Sequence, residues 1–258
     1  MTVVGDFNTD PSALKKRIQA HDQFGSSDVN EWIFLNMELS KDNSIVDLGC
    51  GTGKQTIPMA QFVGDGGNIL AVDVSQEALD TLSKEVEKNG LSKRIKLLCC
   101  DIDDIKMHLR ENTYDRIISS FSLYYSQRTK EVLESIRKAL KVNGVLFFCG
   151  PSKDNNIELR TFHNRVKGSS SSTLSGGAIF MEETGPSLTN EVFGKMEIVH
   201  FNNTLKFNSA ESLYSYWSSY NLYDKNLKDK FLAEAIKHFK TQPVFETQKR
   251  VIGIKAKK

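Results

Sequence analysis

The sequence predicts an α/β fold in which helices cover both faces of a mostly parallel sheet. Between residues 45 and 149, short apolar runs alternate with segments of helical periodicity, a pattern typical of parallel strands joined by right-handed crossovers. The first apolar run leads directly into a turn with three glycines at alternate positions. At 258 residues, 39% hydrophobic and 26% charged, the chain has the size and composition of one domain with a large core.

The elements of the first half follow one another in regular order. Strands are predicted at 45–48, 68–73, 94–98, 115–119 and 144–149, and helices at 54–63, 76–89 and 128–140, with a short helix before the fourth strand. Parallel strands of such a sheet bind ligands outside their carboxyl ends. The turn after the first strand, Asp73, Asp101 and Ser119 all lie at those ends, so we expect them to meet at one edge.

The second half is less regular. Residues 151–190 are polar and include a Gly- and Ser-rich run at 168–177, which predicts an irregular loop, and we favour a substrate lid over an inert loop. Two further strands are predicted at Met196–Phe207 and Val244–Lys255. An aromatic-rich helical insert separates them at 209–240, where core or lid packing is the default reading and an apolar substrate wall the alternative.

The predicted domain organisation is a single domain spanning 1–258. Its parts are N-terminal cap helices at 1–40, a ligand-binding core at 41–150, the lid or loop at 151–190, and the C-terminal strands with their insert at 191–258.

The turn after the first strand is the most informative part of the chain. Glycine permits backbone angles that a Cβ obstructs and lets a ligand approach the main chain, while the following helix directs unpaired N–H groups toward the same space. Packing alone is the alternative reason for such glycines. The next strand ends in Asp73, about 20 residues after the last glycine, where a ribose-binding carboxylate is expected.

Four segments together resemble the class I S-adenosylmethionine-dependent methyltransferases, over roughly residues 25 to 150. Residues 47–53 read acidic-x-Gly-x-Gly-x-Gly, as in the first motif of that family, and 100–103 are similar to its adenine-binding segment. Residues 114–125 and 141–148 are similar to its fourth-strand and fifth-strand motifs. The resemblance implies a Rossmann-like sheet of seven strands with the last strand antiparallel.

The resemblance also implies S-adenosyl-L-methionine as cofactor. Gly49 and Gly51 would lie along its methionine part, with Asp47 near the amino group and the Ser119 carbonyl accepting from that ammonium. Asp73 would accept from both ribose hydroxyls, a strand-end turn being its alternative role. The full set of implied cofactor residues is Asp47, Gly49, Cys50, Gly51, Gly53, Asp73, Val74, Asp101, Ile102 and Ser119.

Within that set, Asp101 and Ile102 are assigned to the adenine ring. Asp101 would accept from the adenine amino group, and the Ile102 backbone N–H would donate to the ring. A helix N-cap is the alternative role of Asp101, because two more acidic residues follow closely.

Acceptor chemistry is expected from segments that border the transferred methyl group. His21 and Tyr124 are the candidate catalytic residues, and His163 and Tyr125 are further candidates for a base or a substrate hydrogen bond. His21 is preferred because an imidazole titrates near neutral pH, with a surface histidine as the alternative. The implied reaction is in-line methyl transfer to an oxygen, nitrogen or carbon of a small molecule; RNA or protein methylation and a nucleotide-binding protein of another kind remain open.

Composition limits the partners. A formal charge of +2 gives no electrostatic case for nucleic acid, and no apolar run is long enough for a membrane span. We expect a cytoplasmic enzyme with a small-molecule acceptor, no metal site and an oligomeric state that stays open. The four cysteines, Cys50, Cys99, Cys100 and Cys149, are expected to be buried free thiols.

Overall fold

A computed structural model gives the structure of residues 24–25, 27–169 and 174–258. His21 and much of the predicted N-terminal cap therefore lie outside the described residues. Within them, no helix is both long and apolar enough to cross a membrane.

Seven strands form one sheet, in the order β3-β2-β1-β4-β5-β7-β6. They are β1 (Ser44–Leu48), β2 (Asn68–Asp73), β3 (Ile95–Cys99), β4 (Tyr114–Ser120), β5 (Leu140–Pro151), β6 (Met196–Phe207) and β7 (Phe245–Lys257). Strands β1 to β5 pair in parallel, and β7 pairs antiparallel with β5. The predicted Rossmann-like fold, including its antiparallel last strand, is confirmed.

Helices connect the strands. The α-helices are α1 (Val29–Asn36), α2 (Thr56–Val63), α3 (Gln76–Lys88), α4 (Thr129–Ala139), α5 (Ile157–Lys167), α6 (Gly176–Ile179), α7 (Gly185–Phe193), α8 (Ala210–Ser218) and α9 (Lys228–Phe239). A π-helical turn at Phe180–Thr184 joins α6 to α7, and 3₁₀ turns lie at Ile102–Met107, Leu123–Tyr125 and Lys225–Leu227.

The register of the central strands places the predicted site. Asp47 near the end of β1 pairs with Ala71 of β2 and with Ile118 of β4. The carboxyl ends of β1, β2 and β4 therefore meet at one edge of the sheet. Strand β5 begins at Leu140, earlier than predicted, because Tyr114 pairs with Leu140 before a register shift.

The prediction of an irregular loop at 151–190 is wrong for most of that segment. Helix α5 buries Leu159, Phe162 and Val166, which follow the i, i+3, i+7 spacing of one helix face. Helix α7 and the π-helical turn occupy residues 180–193. The Gly- and Ser-rich run that follows α5 favoured the prediction of a loop over that of a helix. Residues 170–173 of this run are not described.

The chain divides into two compact units built from separate segments. The larger unit comprises Val29–Ser152, Gly177–His200 and Val251–Lys258. Its core packs side chains of β1, β4 and β5, such as Leu48, Ile117 and Phe148, against helix α4. The predicted division into one domain with four parts stays a prediction.

The smaller unit contains Lys153–Gly176, Phe201–Arg250 and the described residues up to Asp28. Its core is aromatic: Trp217 stacks on Phe231 with ring centroids 4.0 Å apart and planes inclined by 6°. Tyr216 and Trp217, two members of the aromatic insert, are fully buried in this core. For these two, the default reading of core packing is confirmed.

Candidate functional site

The glycine turn after β1 has left-handed backbone at all three glycines. The φ angles are +75° at Gly49, +53° at Gly51 and +89° at Gly53, a region that residues with a Cβ adopt at a cost. The local conformation therefore explains why glycine occupies each position.

The three glycines differ in which neighbouring atoms a side chain at each position would meet. A Cβ on Gly49 would lie 2.2 Å from the Ser122 hydroxyl oxygen, and one on Gly53 would lie 2.3 Å from a methyl carbon of Leu82 in α3. Packing therefore requires both. Of the residues that the structure describes, none lies within 4 Å of a Cβ on Gly51, so the backbone there faces open space among them. Packing alone, the alternative considered for this turn, does not account for Gly51.

Asp73 ties the end of β2 to the glycine turn. Its Oδ2 accepts from the backbone N–H of Gly51 at 2.7 Å, and its Oδ1 accepts from the N–H of Ser75 at 2.9 Å. Each carboxylate oxygen has a further lone pair, so both can still accept from a ligand hydroxyl. The predicted ribose carboxylate and the glycine with open space are thus direct neighbours, and the turn role proposed as the alternative is present as well.

Asp47 lies beneath the turn, with only 1% of its surface exposed. Its Oδ2 accepts from the hydroxyl of Thr56, in the first turn of α2, at 2.6 Å. Burial raises the pKa of the Asp47 carboxyl to about 7; the Thr56 hydrogen bond opposes this rise, and the nearby Asp73 adds to it. This carboxyl therefore titrates near neutral pH.

A chain of hydroxyls fixes the end of β4 against β1. Ser122 Oγ donates to the carbonyl of Leu48 at 2.7 Å, and this uses its one proton. Ser119 Oγ, 2.6 Å from Ser122 Oγ, must then be the donor of that second bond. Between them, Phe121 has φ of +57°, an unusual backbone angle for an aromatic residue.

The predicted adenine residues lie beyond β3. Asp101 caps the following 3₁₀ turn, with Oδ1 accepting from the Asp103 N–H at 2.9 Å. The alternative N-cap role is therefore present. Asp101 is an exposed residue, and its Oδ2 has no hydrogen bond among the described residues. Ile102 is partly buried, while Val74, which follows β2, is 69% exposed. An apolar side chain this exposed can cover a flat ring.

Tyr124 occupies a slot that two glycines create. A Cβ on Gly150, at the end of β5, or on Gly177, in α6, would lie 3.0 Å from the Tyr124 ring. The ring of Tyr125 lies 4.6 Å from it, centroid to centroid. Tyr124 is partly buried at the same sheet edge as the glycine turn, whereas Tyr125 is exposed.

His163 belongs to the smaller unit and is buried. Its Nδ1 accepts from the indole N–H of Trp217 at 3.2 Å, which places the histidine proton on Nε2. Burial, together with Lys167, lowers the pKa of His163, so the ring is neutral near pH 7. These contacts give His163 a role in core packing. His21, the preferred base, lies outside the described residues.

Sequence reasoning missed Thr56 and Ser122. Thr56 had a signal, because a hydroxyl residue in the first turn after a glycine turn is placed to meet a carboxylate at the preceding strand end. Ser122 had none, since its contacts with Gly49 and Leu48 depend on the pairing of β1 with β4.

The cysteines differ from expectation. Cys50 and Cys149 are buried, but Cys99 is exposed and Cys100 partly exposed, because Cys99 ends the edge strand β3 and Cys100 follows it. All four are free thiols. The part of the chain that the structure describes holds no group of three or more His, Cys, Asp or Glu side chains positioned for a metal ion.

Similarity to known proteins agrees with this geometry. Residues 39–195, more than half of the chain, match a family described as a methyltransferase domain. A demethylmenaquinone methyltransferase of Lactobacillus johnsonii is 30% identical over 132 residues, 49% of this chain and 52% of that protein. A sterol 4-C-methyltransferase of Caenorhabditis elegans is 25% identical, over 50% of this chain and 39% of that protein. The chain thus spans about half or less of these relatives.

Among solved structures, an S-adenosylmethionine-dependent methyltransferase from Aquifex aeolicus has a TM-score of 0.55 at 20% identity, covering 74% of this chain and 90% of that one. At this identity the likeness shows the fold. With the family match and the glycine turn, it confirms the predicted resemblance: the chain belongs to the methyltransferase-domain family, in the class I S-adenosylmethionine-dependent group.

Proposed function

We propose that this chain transfers a methyl group from S-adenosyl-L-methionine to a small-molecule acceptor. The observation that carries the proposal is the pairing of Gly51 with Asp73. An open space over left-handed backbone, with a carboxylate 2.7 Å from its N–H, fits an amino-acid-bearing nucleoside whose ribose lies against that carboxylate. The residues therefore fit the cofactor that the family implies.

The proposed roles follow the sheet edge. Gly49, Gly51 and Gly53 shape the turn that holds the methionine part, and Cys50 contributes its backbone there. Asp73 accepts from the ribose hydroxyls, and these charge-assisted bonds exceed neutral ones in strength. Asp47 and the Ser119 carbonyl attract the ammonium.

At the adenine end, Val74 and Ile102 flank the ring, and the free Oδ2 of Asp101 accepts from its amino group. The N-cap bond of Asp101 to Asp103 holds the carboxylate in place without using that oxygen. The cap and the adenine role are therefore compatible.

When bound, the sulfonium of the cofactor supplies an already activated methyl group. The chain has to bind the reactants, orient them and exclude water from them. Orientation alone can lower the activation barrier by roughly 7 to 11 kcal/mol. Tyr124, fixed between Gly150 and Gly177, is our candidate for orienting the acceptor, and His21 remains our candidate base. His163 is not proposed as a base, because its Nδ1 accepts from Trp217 and its Nε2 already carries the proton.

A small-molecule acceptor is supported by the names of the relatives, which act on a demethylmenaquinone and a sterol. The formal charge of +2 offers little attraction for a nucleic acid.

The ribose assignment predicts the effect of Asp73→Asn. The amide keeps the size of the side chain but removes the charge that strengthens bonds to ribose, so affinity for S-adenosylhomocysteine should fall by roughly 1 to 3 kcal/mol. Isothermal titration calorimetry measures this. Glu77→Gln, an exposed carboxylate in the first turn of α3, is the control and should bind like the parent protein. Equal affinity of the folded Asp73→Asn protein would contradict the ribose role.

The acceptor class has a separate test. The enzyme is incubated with cofactor carrying a labelled methyl group and, in parallel, with a small-metabolite extract, total RNA or a protein extract. Label in the metabolite fraction is expected. Label confined to RNA or protein would replace the small-molecule proposal with the alternative.

A further inference from the structure

Asp47 is a buried acid that no described residue pairs with a positive charge. It is 1% exposed, and within the described ranges the one hydrogen bond to its carboxyl comes from the Thr56 hydroxyl at 2.6 Å. Among the described residues no Lys, Arg or His forms an ion pair with it. Burying an ionised carboxylate is costly unless a positive charge or several donors compensate it, so such a group holds a proton instead.

The groups around Asp47 reinforce this. The negative charge of Asp73 on β2 opposes ionisation of Asp47. The thiol of Cys50, in the turn, is neutral because burial raises its pKa. From α2 only the neutral Thr56 hydroxyl reaches the carboxyl. On the remaining neighbouring strand, β4, Asp47 pairs with the apolar Ile118. The described parts of β2, β4, α2 and the turn thus bring no positive charge to Asp47.

The cofactor proposed above brings the missing cation. Its methionine part carries an α-ammonium, and the turn that would hold that part begins two residues after Asp47. An opposite charge within about 4 to 6 Å favours the ionised form of a carboxyl.

We infer that Asp47 holds a proton in the free protein and releases it to solvent when the ammonium of the cofactor binds. The inference rests on the proposed function. In this step the O–H bond of the Asp47 carboxyl breaks and the buffer takes up the proton. No other reactant is needed. Asp47 therefore contributes to ligand specificity. A nucleoside without an ammonium would leave the Asp47 carboxyl protonated and would form no ion pair with it.

Calorimetry tests the proton directly. S-adenosylhomocysteine is titrated into the protein at pH 6.5 in buffers of different ionisation enthalpy, and the slope of the observed heat against that enthalpy gives the protons released. We expect roughly half a proton or more per bound ligand. Affinity should also rise between pH 5.5 and 7.5.

The control ligand is 5′-methylthioadenosine, which has the same nucleoside but no ammonium. It should bind more weakly and release no proton. Release with this ligand equal to that with S-adenosylhomocysteine would overturn the inference.

Two variants complete the test. Asp47→Asn should bind S-adenosylhomocysteine without proton release, and release that persists in this variant would overturn the inference. Thr56→Val covers the case in which Asp47→Asn does not fold. It removes the hydroxyl that stabilises the carboxylate, so the pH midpoint of release should shift upward, and an unchanged midpoint would count against Asp47.

The outcomes separate the two proposals. S-adenosylhomocysteine that binds without releasing a proton refutes the role of Asp47 and leaves the proposed function standing. A protein that does not bind S-adenosylhomocysteine refutes both.

Discussion

Gly49, Gly51 and Gly53 share a left-handed backbone but meet different surroundings. Gly49 makes room for Ser122, Gly53 makes room for Leu82, and Gly51 borders open space. The spacing of the glycines predicted the turn because backbone freedom is a local property. It could not separate the three roles, since Ser122 and Leu82 come from distant segments that only the folded sheet brings near.

Asp47 gives a residue-scale prediction about stability and pH. Its pKa is raised to about 7 by burial, whereas an unfolded aspartate has a pKa near 3.9. Between these values the folded state binds more protons than the unfolded state, so the free energy of unfolding should fall as pH rises from about 4 to 7, by on the order of 3 kcal/mol. Urea unfolding at several pH values measures this, and Asp47→Asn should flatten the slope.

Glu38 is the matched control, because its shift has the opposite sign. Hydrogen bonds from Lys255 and Lys257 lower the pKa of Glu38 to about 2. The stability from Glu38 is present at neutral pH and is lost as pH falls from about 4.5 toward 2. Glu38→Gln should therefore leave the slope between about pH 5.5 and 7 unchanged and alter it only at lower pH. A slope that survives in Asp47→Asn would show that another group produces it.

At the scale of elements, the parallel strands were predictable and the helices after β5 were not. The run 69–72 is apolar throughout and leads directly into an acidic residue, which is typical of a short buried strand in a parallel sheet. Helix α5 mixes buried Leu159 and Phe162 with polar neighbours and leads into a glycine-rich run. The apolar face of α5 packs in the aromatic core of the smaller unit. The spacing of residues along the sequence does not reveal that core.

The contact between the glycine turn and α3 gives an element-scale prediction. Gly53→Ala should lower the free energy of unfolding by roughly 2 to 4 kcal/mol, through left-handed strain and the clash with Leu82. Gly51→Ala, whose new Cβ meets no described residue, should cost only about 1 to 2 kcal/mol from strain alone. Urea unfolding compares the two variants.

A double variant identifies the cause. Leu82→Ala removes the methyl group that the new Cβ would meet, so Gly53→Ala combined with Leu82→Ala should be less destabilised than the sum of the single changes. Strict additivity would mean that the clash with Leu82 is not what destabilises Gly53→Ala.

At the scale of the whole molecule, the family and fold were evident from the sequence, but the division into two compact units was not. Each unit combines segments far apart in the chain, and β6 and β7 contribute residues to both. Domain boundaries are usually recognised as linkers between contiguous segments. Units built from alternating segments of the chain have no single linker between them. The composition therefore suggested one domain.

The larger unit depends on residues near the C-terminus of this chain, and this gives a prediction at the same scale. Ile254 of β7 is fully buried and pairs with Phe148 of β5. Ile254→Ala should cost about 2 to 5 kcal/mol of unfolding free energy, measured by urea denaturation. Ile198 of β6, in the same unit but 42% exposed, is the control and should cost much less when changed to Ala. Similar losses for both would contradict a central position of β7 in this core.

The pairing of β5 with β7 also affects how the protein is made. Pro151 of β5 pairs with Val251, a hundred residues later in the chain. At translation rates of about 5 to 20 residues per second, roughly 5 to 20 seconds separate their synthesis. During that interval β7 has not yet been synthesised, so the edge of β5 that will pair with it is unpaired. This edge can then pair with other nascent chains. We therefore expect chaperone availability to govern the yield of this protein in cells.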